Sequence, residues 1–330
     1  MKLPHRRQFL YLAAGAAALP ALPSIVRAQA YPSRSITMVV PFPPGGSTDT
    51  IGRPIAERMR ELLGQPVIVE NVGGANGNIG TGRVARATPD GYTLVLGLWN
   101  THVSNGALCT LPYDVVKDFE PIALLARLET MMFVRKSLPA NNIRELIAWL
   151  KANSDKATQA SAGTGSWGHL TGTLFQQATG TRLQHVPYRG SAPALQDVVA
   201  GQIDVMVDAP FLVLPQMRAG TVKALAVLSK TRFTQAPEIP TMEEAGIAGF
   251  TSSVWWALWA PKGTPKDIIT RLNAAVVKAL GEAALQQKLA EQGFTVPPPY
   301  EMAPDFLASF QKAEIEKWWP IIKAAGIKGE

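Results

Sequence analysis

The chain has 330 residues, a formal net charge of +7 and a single cysteine, Cys109. Four cations, Lys2, Arg6, Arg7 and Arg27, lie in the first thirty residues, which hold no acid, so the remainder carries 7 − 4 = +3. That mild surplus excludes a nucleic-acid binder on electrostatic grounds, and one cysteine excludes an intramolecular disulfide framework.

The first thirty residues read as an export leader. Arg6-Arg7 precedes Phe9-Leu10, an apolar stretch runs from Tyr11 to Leu22, and Ala28-Gln29-Ala30 closes it as an A-x-A cleavage site. The paired arginines favour twin-arginine export. Pro20 and Pro23 interrupt a stretch already too short to span a bilayer. A mature protein starting near Tyr31 and working in the periplasm is the expectation, with room for two domains.

Ile36 to Val40 then reads as a strand, and Ile51, Ile55, Met59 and Leu62 share one helical face. Between them lies Pro-Phe-Pro-Pro-Gly-Gly-Ser-Thr-Asp-Thr, Pro41 to Thr50. A strand turning through prolines and glycines into a helix headed by Ser47, Thr48 and Asp49 leaves unpaired backbone N–H groups at a positive helix end. Such a corner holds an anion without any Lys or Arg; a plain capped turn is the alternative.

Further along, Val67 to Glu70 is a strand, Asn78 to Ala87 a helix and Tyr92 to Leu96 a strand, the start of a parallel sheet with right-handed crossovers. Pro121 to Val134 holds one or two strands, and Ile143 to Lys151 an amphipathic helix. A second α/β series follows. Its strands are expected at Gln159–Ala162, Leu183–Tyr188, Ile203–Val207 and Val222–Leu228, with helices after Gly163, after Ser191 and around Leu212 to Ala219. Trp255 to Ala260 is a last apolar run before two mainly helical stretches, Pro265 to Gln292 and Pro304 to Ala325. Two such series imply two lobes around a cleft, with ligands at strand carboxyl ends. The Pro41 loop, the residues after Leu96, the Gly163 loop and Asp208 all lie at such ends.

Ordered motifs carry a family resemblance over Tyr31 to Gly326: VVPFPPGGSTD (39–49), VENVGGANGNIG (69–80), ATPDGYTL (87–94), LPYDVVKDFEPI (111–122), GTGSWGHL (163–170), VPYRGSAPALQDVVAGQIDVMVD (186–208) and APKGTP (260–265). In these the chain resembles the substrate-binding receptors of tripartite tricarboxylate transporters, also called the Bordetella uptake gene receptors. The resemblance implies an α/β, two-lobed periplasmic binding protein fold of type II-like, Venus flytrap form, each lobe a mostly parallel sheet flanked by helices. By analogy lobe 1 is 31–127 plus 253–330 and lobe 2 is 128–252. It also implies a monomer that passes a small carboxylate to membrane permease subunits, with no cofactor, no metal and no catalytic residue. A ligand-loaded sensor feeding a membrane signalling partner remains the alternative function.

The resemblance assigns carboxylate binding to the first loop, hence Phe42, Pro44, Gly45, Gly46, Ser47 and Thr48, and to the second, hence Gly163, Thr164, Gly165, Ser166 and Trp167. Trp99, Asn100 and Thr101 follow the third strand, and Tyr188, Arg189 and Asp208 close the expected set. Relatives usually have small or polar residues where Leu98-Trp99 and Trp167 stand here. Two indoles facing the cleft would favour an aromatic or extended apolar acid by roughly 1 kcal/mol beyond area burial; indoles facing the core would not.

Other chemistries fail on their residues. Gly163, Gly165 and Gly168 match G-x-G-x-x-G, but Gln184 to Arg189 offers no acidic residue for a ribose. Thr164 occupies the first glycine position of a nucleophile elbow. His102, His169 and His185 stand singly, without metal-ligand spacing, and His169 reads as a packing or supporting residue. Asp208 either accepts a hydrogen bond from a ligand amino or hydroxyl group or caps Ala209-Pro210, and Arg189 pairs with Asp208, with a ligand carboxylate, or with neither.

Overall fold

The computed structural model describes residues 31–154, 156–188 and 190–328; the export leader and Arg189 lie outside them. The first strand, β1 (Ile36–Val40), is apolar and wholly surrounded, with Ile36, Met38, Val39 and Val40 all buried. Helix α1 (Ser47–Leu63) returns over it, burying Ile51, Ile55 and Met59, and stops at Gly64, whose φ of +71 few other residues adopt. Strand β2 (Val67–Asn71), helix α2 (Asn78–Ala85) and β3 (Thr93–Leu98) complete a right-handed series in which β2 and β3 flank β1 in parallel. A π-helical turn, Asn100–Ser104, leads from β3 into the short helix α3 (Asn105–Leu108).

The long strand β4 (Phe119–Glu129) then crosses to β5 (Met131–Arg135) in a second sheet. There, α4 (Ile143–Ala152), β6 (Thr158–Ser161), α5 (Trp167–Thr179), β7 (Gln184–Pro187), α6 (Ser191–Val199), β8 (Val205–Asp208), α7 (Pro210–Arg218) and β9 (Val222–Val227) alternate. The chain returns through β10 (Ser253–Pro261) and ends with α8 (Lys266–Leu280), α9 (Ala283–Glu291), a two-residue β11 (Phe294–Thr295) and α10 (Pro304–Ala324).

The first sheet has the order β11-β4-β10-β3-β1-β2 and the second β7-β6-β8-β5-β9. The fold is the expected two-lobed α/β type. Its sheets are mixed, because the crossing strands join antiparallel: β10 to β3 and β4, β5 to β8 and β9. Two apolar clusters cover the two faces of the first sheet and two more those of the second. Where the strands pass between sheets, Thr130 Oγ1 donates to Ser252 O at 3.0 Å, Leu228 N to Thr130 O at 2.8 Å and Ser252 N to Leu228 O at 2.8 Å. That knot fixes the neck while leaving the halves joined through few backbone segments.

Candidate functional site: two loop-to-helix corners

The first loop is held from inside by one carboxylate. Asp49 Oδ2 accepts from Gly45 N at 2.9 Å and from Arg53 Nε at 2.8 Å, and Oδ1 accepts from Asn71 Nδ2 at 3.0 Å. Asn71 Nδ2 also reaches Phe42 O at 3.1 Å. Burial pushes the Asp49 carboxyl upward, but Arg53, the Gly45 amide and Asn71 together outweigh it and hold it below the usual carboxylate range. Gly45, at φ +81, makes the turn that lets its amide face Asp49. The first helical ring closes from Thr50 N to Gly46 O at 2.9 Å, so the first-turn amides of Ser47, Thr48 and Asp49 have no acceptor within α1. The loop from Phe42 to Thr48, with Leu98 and Asn100, surrounds an open hollow of about 480 Å³.

The second loop has a parallel construction. Ser161 Oγ donates to Gly163 O at 2.9 Å, accepts from Gly163 N at 3.2 Å and lies 2.7 Å from His185 Nε2. His169 Nδ1 accepts from Gly165 N at 3.0 Å, and its ring stacks on His185 with centroids 3.5 Å apart. Burial first, and for His169 the neighbouring His185, depress both imidazoles to about 4, so both are neutral at pH 7. His169 therefore supports the loop. Gly168 lies so close to β8 that a Cβ would stand 2.7 Å from Val207 O. The start of α5 can therefore press against the end of β8, where Ser166, Trp167 and Asp208 line a cavity of about 100 Å³. Thr130, Leu128 and Val254 of the crossing segments close its other side.

Several expected donors are occupied. The amides of Gly45, Gly163 and Gly165 serve Asp49, Ser161 and His169, which moves the available donors into the first turns of α1 and α5. Thr101 is fully buried; its Oγ1 donates to Leu98 O and accepts from Leu98 N, both at 3.0 Å, which corrects its assignment as a ligand contact. Tyr188 donates to Asp197 Oδ2 at 2.6 Å, and Thr164 is exposed outside both hollows. Thr48 Oγ1 accepts from Trp256 Nε1 at 2.9 Å, which fixes the hydroxyl beside its backbone amide while leaving its own O–H to donate.

Trp99 is the clearest correction. It is 0% exposed and lies edge-on to Trp167 at 4.5 Å and to Trp318 at 5.1 Å, so it does not form a wall for a ligand ring. Trp167, at the head of α5, thus plugs into an indole socket on the first half, also meeting Trp318 at 5.2 Å. Beneath the socket, Trp255 Nε1 donates to Glu314 Oε2 at 3.2 Å, while the indole nitrogens of Trp99 and Trp318 are buried without a hydrogen-bond partner. Burial raises the Glu314 carboxyl despite the Trp255 donor and the nearby Lys317. Sequence reading missed Asp49 as the organiser of the first loop and the Trp99–Trp318–Glu314 socket. The first had a visible signal in the spacing of Gly45, Asp49 and Arg53; the second joins residues over 200 positions apart.

The sequence profile described as the tripartite tricarboxylate transporter family receptor matches residues 51–327. The chain belongs to this family. Protein BugT of Bordetella pertussis is 38% identical over 305 residues, covering 92% of this chain and 93% of BugT. MatC from Rhodopseudomonas palustris, solved with bound malate, is 38% identical with a TM-score of 0.75, the match covering 88% of this chain and 100% of MatC. An R. palustris protein solved with adipate is 35% identical with a TM-score of 0.77, covering 90% of this chain and 99% of that one. This receptor family binds solutes and does not catalyse reactions. In this receptor no group of three or more His, Cys, Asp or Glu among the described residues is placed to hold a metal ion, and no described helix is long and apolar enough to cross a membrane.

Proposed function

We propose that this receptor is exported to the periplasm, binds a small organic carboxylate between its two halves, and hands it as a monomer to the permease subunits of a tripartite tricarboxylate transporter. The carrying observation is the pair of helix starts, Ser47 and Trp167, one on each half, each beside a hollow at the carboxyl ends of strands. Amides at such ends bind carboxylates through charge-assisted hydrogen bonds worth on the order of 1.5–3 kcal/mol each. A few of these, with partial burial, reach micromolar affinity, about −8 kcal/mol. Donors drawn from both halves favour the shut form only while ligand bridges them. The malate and adipate bound by the two R. palustris relatives support an organic acid as the ligand class.

A carboxylate panel screened by thermal shift identifies binders, since ligand at 100 times its dissociation constant adds about 2.7 kcal/mol of stability. Calorimetry on Ser47→Trp and Ser166→Trp then tests the site. Each bulky ring is expected to weaken the best acid at least tenfold; unchanged affinity in both variants would reject the two-loop site.

A further inference from the structure

The cavity at the end of β8 has a chemistry that carboxylate recognition alone does not explain. Asp208 supplies the only ionisable side chain among the described residues that line it. Its Oδ1 accepts from its neighbour's amide, Ala209 N, at 2.7 Å, and Ser191 lines the same hollow. That bond leaves acceptor capacity on the carboxylate, which has about four lone-pair sites. Beside it, Ser166 Oγ is buried without a hydrogen-bond partner. The indole N–H of Trp167, on the same wall, is also unpartnered, and Trp167 is 93% buried (7% exposed). Unpaired polar atoms in the wall of a buried hollow are rare in native folds and point to a polar partner there. The hollow of about 100 Å³ has room for a small substituent and the carbon that bears it, each water-sized group taking about 30 Å³.

We infer that Asp208 and Ser166 form a subsite for a hydrogen-bond donor carried by the acid, a hydroxyl or ammonium group on its carbon chain, so that the receptor selects substituted over plain carboxylates. This rests on the proposed carboxylate reading and deepens it. A ligand carboxylate placed against Asp208 would set two like charges together in a desolvated hollow, which burial makes costly. Burial already holds the Asp208 carboxyl above its ordinary range, and an entering donor relieves that cost where a second anion adds to it. The ligand's carboxylates go to the helix starts and its donor goes to Asp208. A site built to bond a hydroxyl or amine rejects the analogue lacking it, because its own polar groups are then left unpaired.

The test uses matched acids that differ only in the donor: succinate, malate and aspartate; glutarate, 2-hydroxyglutarate and glutamate; 3-phenylpropionate, 3-phenyllactate and phenylalanine. Calorimetry on the full mature chain is expected to show, in at least one set, a donor-bearing acid bound ten times or more tighter than its plain partner. Asp208→Asn and Ser166→Ala, each first shown to unfold cooperatively, are expected to shrink that ratio. Asp208→Asn acts more severely on an ammonium, which loses a counter-charge, than on a hydroxyl, which keeps an acceptor. Equal or tighter binding of the plain acids, or a ratio that survives both substitutions, overturns the subsite while leaving the carboxylate receptor intact. Plain acids that bind more tightly as pH falls, with the trend lost in Asp208→Asn, overturn it too, because the carboxyl then donates its own proton to a ligand carboxylate. Failure of every acid in the panel rejects the carboxylate reading itself.

Discussion

Asp49 shows how one buried side chain fixes the shape of a glycine-rich bend. Its two oxygens bind Gly45 N, Arg53 and Asn71, so the Pro-Pro-Gly-Gly bend is set before any ligand arrives. Asp49→Ala is expected to reduce stability by about 1–3 kcal/mol, through unpaired partners, and to weaken the best acid about tenfold; urea unfolding and calorimetry read the two effects, and a variant unchanged in both contradicts the role. Glu129 gives a separate test, by pH. It lies at the neck, where burial outweighs the help of Arg127 and lifts its carboxyl to about 7. A raised carboxyl contributes stability below its unfolded pKa of about 4.5 and loses it as pH rises through 7. Glu129→Gln should therefore match the parent near pH 4.5 and exceed it at pH 8 by on the order of 3 kcal/mol. A melting-temperature difference that stays flat between those pH values would contradict this.

Single elements carry the next level. The head of α5 does two things: Ser166, Trp167 and Gly168 line the cavity, and Trp167 plugs the Trp99–Trp318 socket on the opposite half. Edge-on aromatic contacts of this kind contribute about 0.5–1.5 kcal/mol each. Trp167→Ala should shift the population toward separated halves, enlarging the radius of gyration of the free protein in small-angle scattering and weakening ligand binding severalfold. Trp99→Ala should instead lower stability by about 3–5 kcal/mol, as truncating a core aromatic does, because Trp99 is sealed in the first half. Equal effects of the two changes on unfolding would dissolve the distinction between plug and core.

Much at this level was legible. The apolar runs at Ile36–Val40, Val67–Glu70 and Ile203–Val207 announced strands through their β-branched and aliphatic composition; the left-handed caps at Gly64 and Gly180 emerge only in the structure. The antiparallel joining of β10 to β3 and β4 was not legible, since pairing between residues 95 and 259 leaves no local pattern. Nor did the sequence reveal that the amides of Gly45, Gly163 and Gly165 face inward. Side chains at Asp49, Ser161 and His169 decide that, and the same glycine-rich string could equally present those amides to a ligand. The π-helical turn at Asn100–Ser104 hid for a related reason: it contains no Gly or Pro to mark where β3 ends.

For the molecule as a whole, the family match fixes the class of protein, and the knot of Thr130, Leu228 and Ser252 shows how two sheets are joined with little between them. The imidazoles of His102 and His169, both buried, and of His185, half-buried, add a global pH dependence. Burial depresses His102 to about 3 and His169 and His185 to about 4, so each is neutral in the fold and charged in the unfolded chain below about 6.5. Folding stability should fall as pH drops from 6.5 toward 4, by about 1.4 kcal/mol per unit for each group, offset in part by Glu129 and Glu314, whose raised carboxyls act with the opposite sign. The decisive measurement is a crystal structure with the tightest acid from the carboxylate panel. The account predicts one molecule of acid bridging the halves, its carboxylate oxygens on backbone amides at the starts of α1 and α5. An acid seated away from those helix ends, or touching one half only with the other helix end empty, would contradict it.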